Sequence, residues 1–402
     1  MTDPLPLPLL LDGATATNLI EMGMPIDTCP EEWMLDNQDC VVRLHEEFIN
    51  AGSELLYTPT YNTNREKLAE YGLEDKLVRF NKELAQLTKA VAGSKLAAGC
   101  LSSINHEAQP FGDMTFAEIV DVYAEQAFAL KEGGVDLLVC DSLTSMAQCR
   151  AAILGCRQTG LPVMVTVSID TDGDTMAGSD ALACLIAAQS LGACAFGLSC
   201  CNGPAGMKPF LEEMIPYARI PLIAKPNAGM GTNYLEPEEM AAQIKPLMDL
   251  GVQIIGGCCH STYKHIEAMK KLMDSYDFSQ VSPERDNDTI LMCCDTEAYF
   301  LDEMFEMSDG IHCRNDMSDE LLELEHSGVD VACILIDSID DAEMFAENAH
   351  MLRMPVAFLS DDEQALEAAL RMYNGRAFID SRSALDEQRL YRLAERYGSV
   401  VR

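Results

Sequence analysis

Apolar runs of strand length recur along the first two thirds of the chain, and amphipathic stretches of helical length separate them. The runs are LPLLLD (7–12), ELLYT (54–58), KLAAGC (95–100), DLLVC (136–140), PVMVTV (162–167), ACAFGL (193–198), IPLIAK (220–225) and QIIGG (253–257). They are nearly continuous rather than alternating, as expected of parallel strands buried on both faces. Between them, VVRLHEEFINAG, EIVDVYAEQAFALKEGG and MAAQIKPLMDLG carry apolar residues at three-to-four spacing. Each ends in glycine just before the next run, a helix stop. Thr115 with Glu118 reads as a capping box, and Pro237 as the first residue of a helix. Eight strands alternating with helices predict a (β/α)8 barrel over 1–275, with its working face at the C-terminal strand ends.

Residues 276–288 are polar and carry a proline, and they read as a linker. Beyond them the beat resumes in 289–402 with ILMCCD (290–295), DVACILID (330–337), PVAFLSD (355–361), GRAFIDS (375–381) and a final SVVR. These predict a small C-terminal α/β domain of four or five strands. The expected class is therefore α/β, a TIM barrel followed by a smaller α/β unit.

Composition narrows the function. Of 402 residues 48% are hydrophobic, enough for a sizeable core, and the net charge of −37 argues against nucleic acid or an anionic membrane as partner. The opening MTDPLPLPLLLDG has no basic n-region and a short, proline-broken apolar run, so it does not read as a signal peptide. No stretch approaches the roughly 20 apolar residues that cross a bilayer. Sixteen cysteines, most of them inside apolar runs, fit a reducing cytoplasm.

Two double-cysteine steps stand out, Cys200-Cys201 in AFGLSCCNGP and Cys258-Cys259 in QIIGGCCHST. Each follows a predicted strand, the sixth and the eighth, beside glycine. Those strands lie two apart around a ring, so their ends face each other across the mouth. Thiols converging there make a soft site suited to Zn2+. The competing reading is a set of small buried hydrophobes. Cys201 reads as a packing thiol, His260 as a rim residue and His265 as a surface histidine on the following helix.

LLLDGATATNL, GVDLLVCDSL, GLSCCNGP, AKPNAG and GGCCHS, in this order, resemble the zinc-dependent homocysteine S-methyltransferases. That family includes the homocysteine module of cobalamin-dependent methionine synthase and betaine–homocysteine methyltransferase. The resemblance covers about residues 7–270. It implies zinc held by Cys200, Cys258 and Cys259, a fourth position open to a thiol substrate, and acceptor contacts from Asp12, Asp141 and Ser199. Departures cluster around the acceptor pocket: Asp141 stands where the family has glutamate, Ser199 and Pro59 replace asparagines, and His260 and Tyr263 replace a glycine and a proline.

The expected function is a zinc-dependent methyltransferase acting on a thiol, with homocysteine the first guess. The resemblance to the front part of methionine synthase favours a methylcorrinoid donor, and because no Asp-x-His-x-x-Gly motif occurs in the sequence, that donor is expected on a partner protein. The other candidate donor is a small onium compound held by Tyr57, Tyr61 and Tyr263. Residues 289–402 resemble part of the pterin-binding domain of methionine synthase. Asp337, Asp380 and Ser381 fall at strand ends there; the expected role of the segment is docking or homo-oligomer formation rather than folate binding. From other classes come a non-catalytic zinc scaffold or regulatory subunit, and a redox sensor built on the cysteine pairs.

Overall fold

The computed structural model describes residues 5–201, 203–230 and 233–402. Residues 1–4 of the N-terminal stretch and Asn202 of GLSCCNGP lie outside the described residues. Eight parallel strands form one sheet: β1 (Leu9–Leu10), β2 (Leu55–Tyr57), β3 (Leu96–Ser102), β4 (Leu137–Leu143), β5 (Val163–Val167), β6 (Ala195–Ser199), β7 (Leu222–Lys225) and β8 (Ile254–Ile255). Their spatial order runs from β1 through β8, β7, β6, β5, β4 and β3 to β2. The two ends of this order meet: Glu54 N–H donates to the Leu10 carbonyl at 2.8 Å and Ser53 Oγ to the Leu11 carbonyl at 3.1 Å. The sheet is thus a nearly closed barrel, and each of its eight strands overlaps an expected run.

Side-chain alternation organises the barrel interior. Leu9, Leu11, Leu55, Ala98, Leu137, Val139, Met164, Ala195, Ile223 and Ile254 pack together as an inner cluster. Each fully buried Leu or Ile in it contributes about 1.5–3 kcal/mol. Gly197 is the position where this filling leaves no room. A Cβ there would lie 1.9 Å from the Ile223 carbonyl oxygen of β7. Tyr57 and Cys100 close this cluster towards the mouth, and the same inward alternation places Asp141, Thr166, Ser199, Lys225 and Cys258 at the strand ends, where carbon gives way to polar atoms and sulfur.

The helices cover the outside. Gln38–Ala51 stops at Gly52, whose φ of 110° is open to glycine. Phe116–Glu132 begins with the Thr115–Glu118 capping box, and Pro237 is the first residue of Pro237–Asp249.

The C-terminal part differs from expectation in one respect. Ile290–Cys293 (β9) does not join the parallel sheet; it pairs antiparallel with β10 (Ala298–Leu301). The parallel sheet consists of β11 (Ile311–His312), β12 (Ala332–Leu335), β13 (Val356–Leu359), β14 (Phe378–Ile379) and β15 (Val400–Val401), in that order. Asp295 and Thr296 turn the chain back after ILMCC, and a two-residue strand such as β11 has no periodicity to detect. Residues 276–288 cross the end of the barrel opposite the mouth. There Tyr276 Oη donates to Asp249 Oδ1 at 2.8 Å, and Asp286 N–H to the Pro216 carbonyl at 2.9 Å.

A buried arginine ties the two parts together. Arg150, on helix Met146–Arg157 of the barrel, donates from Nη2 to the Leu370 carbonyl (2.8 Å) and from Nη1 to the Arg371 carbonyl (3.2 Å). These carbonyls end helix Glu363–Met372, where a cation also suits the helix dipole.

Candidate active site

Both cysteine segments reach the barrel mouth. Ser199 is the last residue of β6, and Cys200 follows with φ at 55°, a left-handed turn that ends the strand. Across β7, β8 leads through Gly256 and Gly257 to Cys258 and Cys259. The Sγ atoms of Cys200, Cys258 and Cys259 all lie within 4.8 Å of one another, with Cys200 and Cys259 at 3.5 Å. Among the described residues this is the single group of three or more Cys, His, Asp or Glu side chains so placed. Cys201 is apart from it: buried, its Sγ lies 3.1 Å from the Ser199 carbonyl and accepts from Ile169 N–H.

The end of β7 fixes the spacing of the sulfurs. Cys200 N–H donates to the Lys225 carbonyl (3.2 Å) and Cys258 N–H to the Pro226 carbonyl (2.8 Å). Cys259 N–H donates to Asn227 Oδ1 (3.1 Å), and Ala228 N–H returns a bond to the Cys259 carbonyl (2.9 Å). The three thiols share their protons. Hydrogen bonds from Cys200 and Cys258 hold Cys259 well below the ordinary thiol range, whereas Cys200, hydrogen-bonded to Cys258 and Cys259, is held far above it.

A polar belt lies beside the sulfurs. Asp12 is buried; its Oδ2 accepts from Tyr57 N–H at 2.8 Å and its Oδ1 has no partner. Burial pushes its carboxyl up to about 7, against the opposing pull of Lys225. Asp141 accepts from Thr166 Oγ1 at 2.9 Å and lies 4.0 Å from Lys225 Nζ. Burial raises its carboxyl too, again opposed by Lys225. Ser199 Oγ sits 2.7 Å from both Ser142 Oγ and Thr166 Oγ1. Ser199 therefore braces the wall that holds Asp141.

Lys225 is the residue that sequence reasoning missed. It is 5% exposed, with Nζ 4.8 Å over the Tyr57 ring. Burial pushes its ammonium down, but Asp141 and the other acids outweigh that and hold it well above the ordinary lysine value. The signal was present in IPLIAK: if Ile223 faces inward, so does the residue two further on.

Other expectations fare differently. His265 is not a surface residue. It is buried, accepting from Thr262 N–H at Nδ1 (3.1 Å) and bonding the Leu235 carbonyl through Nε2 (2.9 Å), so it caps helix Tyr263–Ser275. His260 is exposed at the rim, edge-on to Tyr234 with centroids 4.7 Å apart. The ring faces of Tyr57 and Tyr61 carry the chain's own ammonium groups, Lys225 and Lys67, and Tyr263 is 40% exposed. In the C-terminal sheet, Asp380 is taken up by Arg382, Ser381 N–H by the Arg402 carbonyl, and Asp337 lies 3.5 Å from His312.

The family model described as homocysteine S-methyltransferase matches residues 9–273. The chain is 30% identical over 287 residues to methionine synthase of Mycobacterium leprae, covering 63% of this chain and 23% of that protein. For methionine synthase of Mycobacterium tuberculosis the figures are 29%, 63% and 24%. The chain thus spans about a quarter of the length of these curated relatives. The crystal structure of the homocysteine methyltransferase MmuM from Escherichia coli, metallated form, superposes with a TM-score of 0.56 at 20% identity, over 65% of this chain and 95% of that one. Its oxidized form gives 0.56 at 21% over the same shares. At that identity the likeness is one of fold.

Proposed function

The chain belongs to the homocysteine S-methyltransferase family, and we propose that it transfers a methyl group to a thiol at a zinc site formed by Cys200, Cys258 and Cys259, with homocysteine the first candidate acceptor. The observation that carries this reading is the convergence of the three Sγ atoms within 4.8 Å. Sulfurs around a tetrahedral zinc at ~2.3 Å stand ~3.8 Å apart, so the donor set fits the metal. Three protein ligands are the mark of a catalytic site, which keeps a position for substrate. Bound there, zinc would supply the positive charge that keeps an acceptor thiol ionised at neutral pH.

The chain's own residues do the rest. Asp12 and Asp141 orient the polar end of the acceptor, and Ser199 and Thr166 hold Asp141 in place. The acceptor sulfur is thereby kept in line with the incoming methyl group, and alignment of this kind accounts for much of the rate in a displacement reaction. A methylcorrinoid presented by a partner protein is the favoured donor, supported by the similarity to methionine synthases. A small onium compound is the alternative.

Metal analysis of the purified protein tests the site. One zinc per chain is expected, and Cys259→Ala is expected to lose it. X-ray absorption after adding homocysteine should show a fourth sulfur on zinc. Stoichiometric zinc that survives replacement of all three cysteines would rule the assignment out.

A further inference from the structure

We propose that Lys225 binds the anionic group of the acceptor, so that the site selects thiols bearing a carboxylate or sulfonate and does not require an α-ammonium. The inference rests on the barrel mouth being a thiol methyltransferase site, and it deepens that reading by naming the acceptor class.

Lys225 and two buried polar atoms near it carry hydrogen-bonding capacity that the described residues leave unused. The Lys225 ammonium carries three donors, and among the described residues it makes no hydrogen bond; its nearest anion is Asp141 Oδ2 at 4.0 Å. The Tyr57 hydroxyl, on the ring that Lys225 covers, has no partner, and neither has Asp12 Oδ1. Buried polar groups that the chain leaves unpaired are places where an ordered water or a ligand supplies the partner.

The charges indicate which ligand. Asp141 has one oxygen held by Thr166 and the other facing Lys225, so its charge is already answered within the chain. A substrate ammonium brought to Asp141 would meet Lys225 as a like charge. An anion meets the Asp141 carboxylate as a like charge in its turn, but it finds free donors on Lys225 and the Tyr57 hydroxyl, whereas among these groups an ammonium finds one unpartnered acceptor, Asp12 Oδ1. Charge-assisted bonds of this kind are the strong ones.

The distances suit a small molecule. Lys225 lies on β7, between the strands that carry Cys200 and Cys258, and its carbonyl accepts from Cys200 N–H. The thiol cluster and the ammonium therefore sit on neighbouring strand ends, and a short alkyl chain is the linker the proposal requires. Asp12, pushed up to about 7 by burial, can donate or accept at the remaining edge of the ligand.

The test is a thiol series titrated into the zinc-loaded full chain, with calorimetry for affinity and X-ray absorption to confirm sulfur addition to zinc. The probes are homocysteine, 4-mercaptobutyrate (which lacks the ammonium) and 3-aminopropane-1-thiol (which lacks the carboxylate). The wild-type chain is expected to bind the first two within about threefold of each other and the aminothiol about tenfold or more weaker, the scale of one charge-assisted bond. Lys225→Met should weaken both carboxylate thiols about tenfold or more and leave the aminothiol unchanged, with zinc content intact. The proposal is overturned if the aminothiol binds as tightly as homocysteine, or if the variant weakens all three alike or loses zinc. The wild-type series decides even if the variant does not fold. Sulfur addition by none of the three would instead bring down the methyltransferase reading, and this proposal with it.

Discussion

At the scale of single residues, the site depends on side chains that are not themselves sulfur. Asn227 holds Cys259 through one bond to its amide. Asn227→Ala should weaken zinc binding about 10- to 100-fold, as losses around a metal's ligands commonly do, and competition with a chromophoric chelator would measure it. His45 offers a pH test remote from the mouth. It is buried, with Nε2 3.1 Å from Thr88 Oγ1 and Nδ1 unpaired, and burial lowers its imidazole to about 4 from the ordinary 6.5. Between those values the unfolded chain binds a proton that the folded chain does not. Stability is therefore full above pH 6.5 and falls as pH drops towards 4, by up to about 3 kcal/mol. In His45→Gln that slope should flatten in urea titrations run across the window; an unchanged slope would mean the imidazole is not buried neutral.

At the scale of elements, β6 is the strand least able to change. Gly197→Ala would drive a methyl group into the Ile223 carbonyl. Backbone there has no empty space to move into, so a loss of about 3 kcal/mol or more is expected, with zinc affinity falling as Cys200 shifts. Thr115→Ala, which removes half of a capping box on the outer ring, should cost only about 1 kcal/mol. The barrel strands were legible because each is an apolar run closed by a glycine-ended helix. The partner of a strand is not written in its own residues, which is why the antiparallel pairing of ILMC and the two-residue β11 are not legible in the sequence. The three cysteines were legible from the ordered motifs. His265 was not, because a histidine three residues into a helix shows its capping role only once its ring is seen folded back on Thr262. Lys225 was overlooked because a basic residue ending an apolar run reads as a solvated stop.

At the scale of the molecule, Arg150 is a buried bond between barrel and C-terminal part. Arg150→Ala leaves the Leu370 and Arg371 carbonyls without their donors and opens a hole beside Phe116. A loss of about 2–5 kcal/mol is expected, and scanning calorimetry should show the C-terminal part melting earlier, as a separate transition. The stretch Lys225–Ala228 has a longer reach than its length suggests. It acts as a ruler: its carbonyls and the Asn227 side chain set the span between the thiols. A gauge of that sort keeps its setting when nothing is clamped in it. Chelators should therefore strip the cation while far-ultraviolet dichroism stays constant, and resupply should restore occupancy on mixing, without a refolding delay.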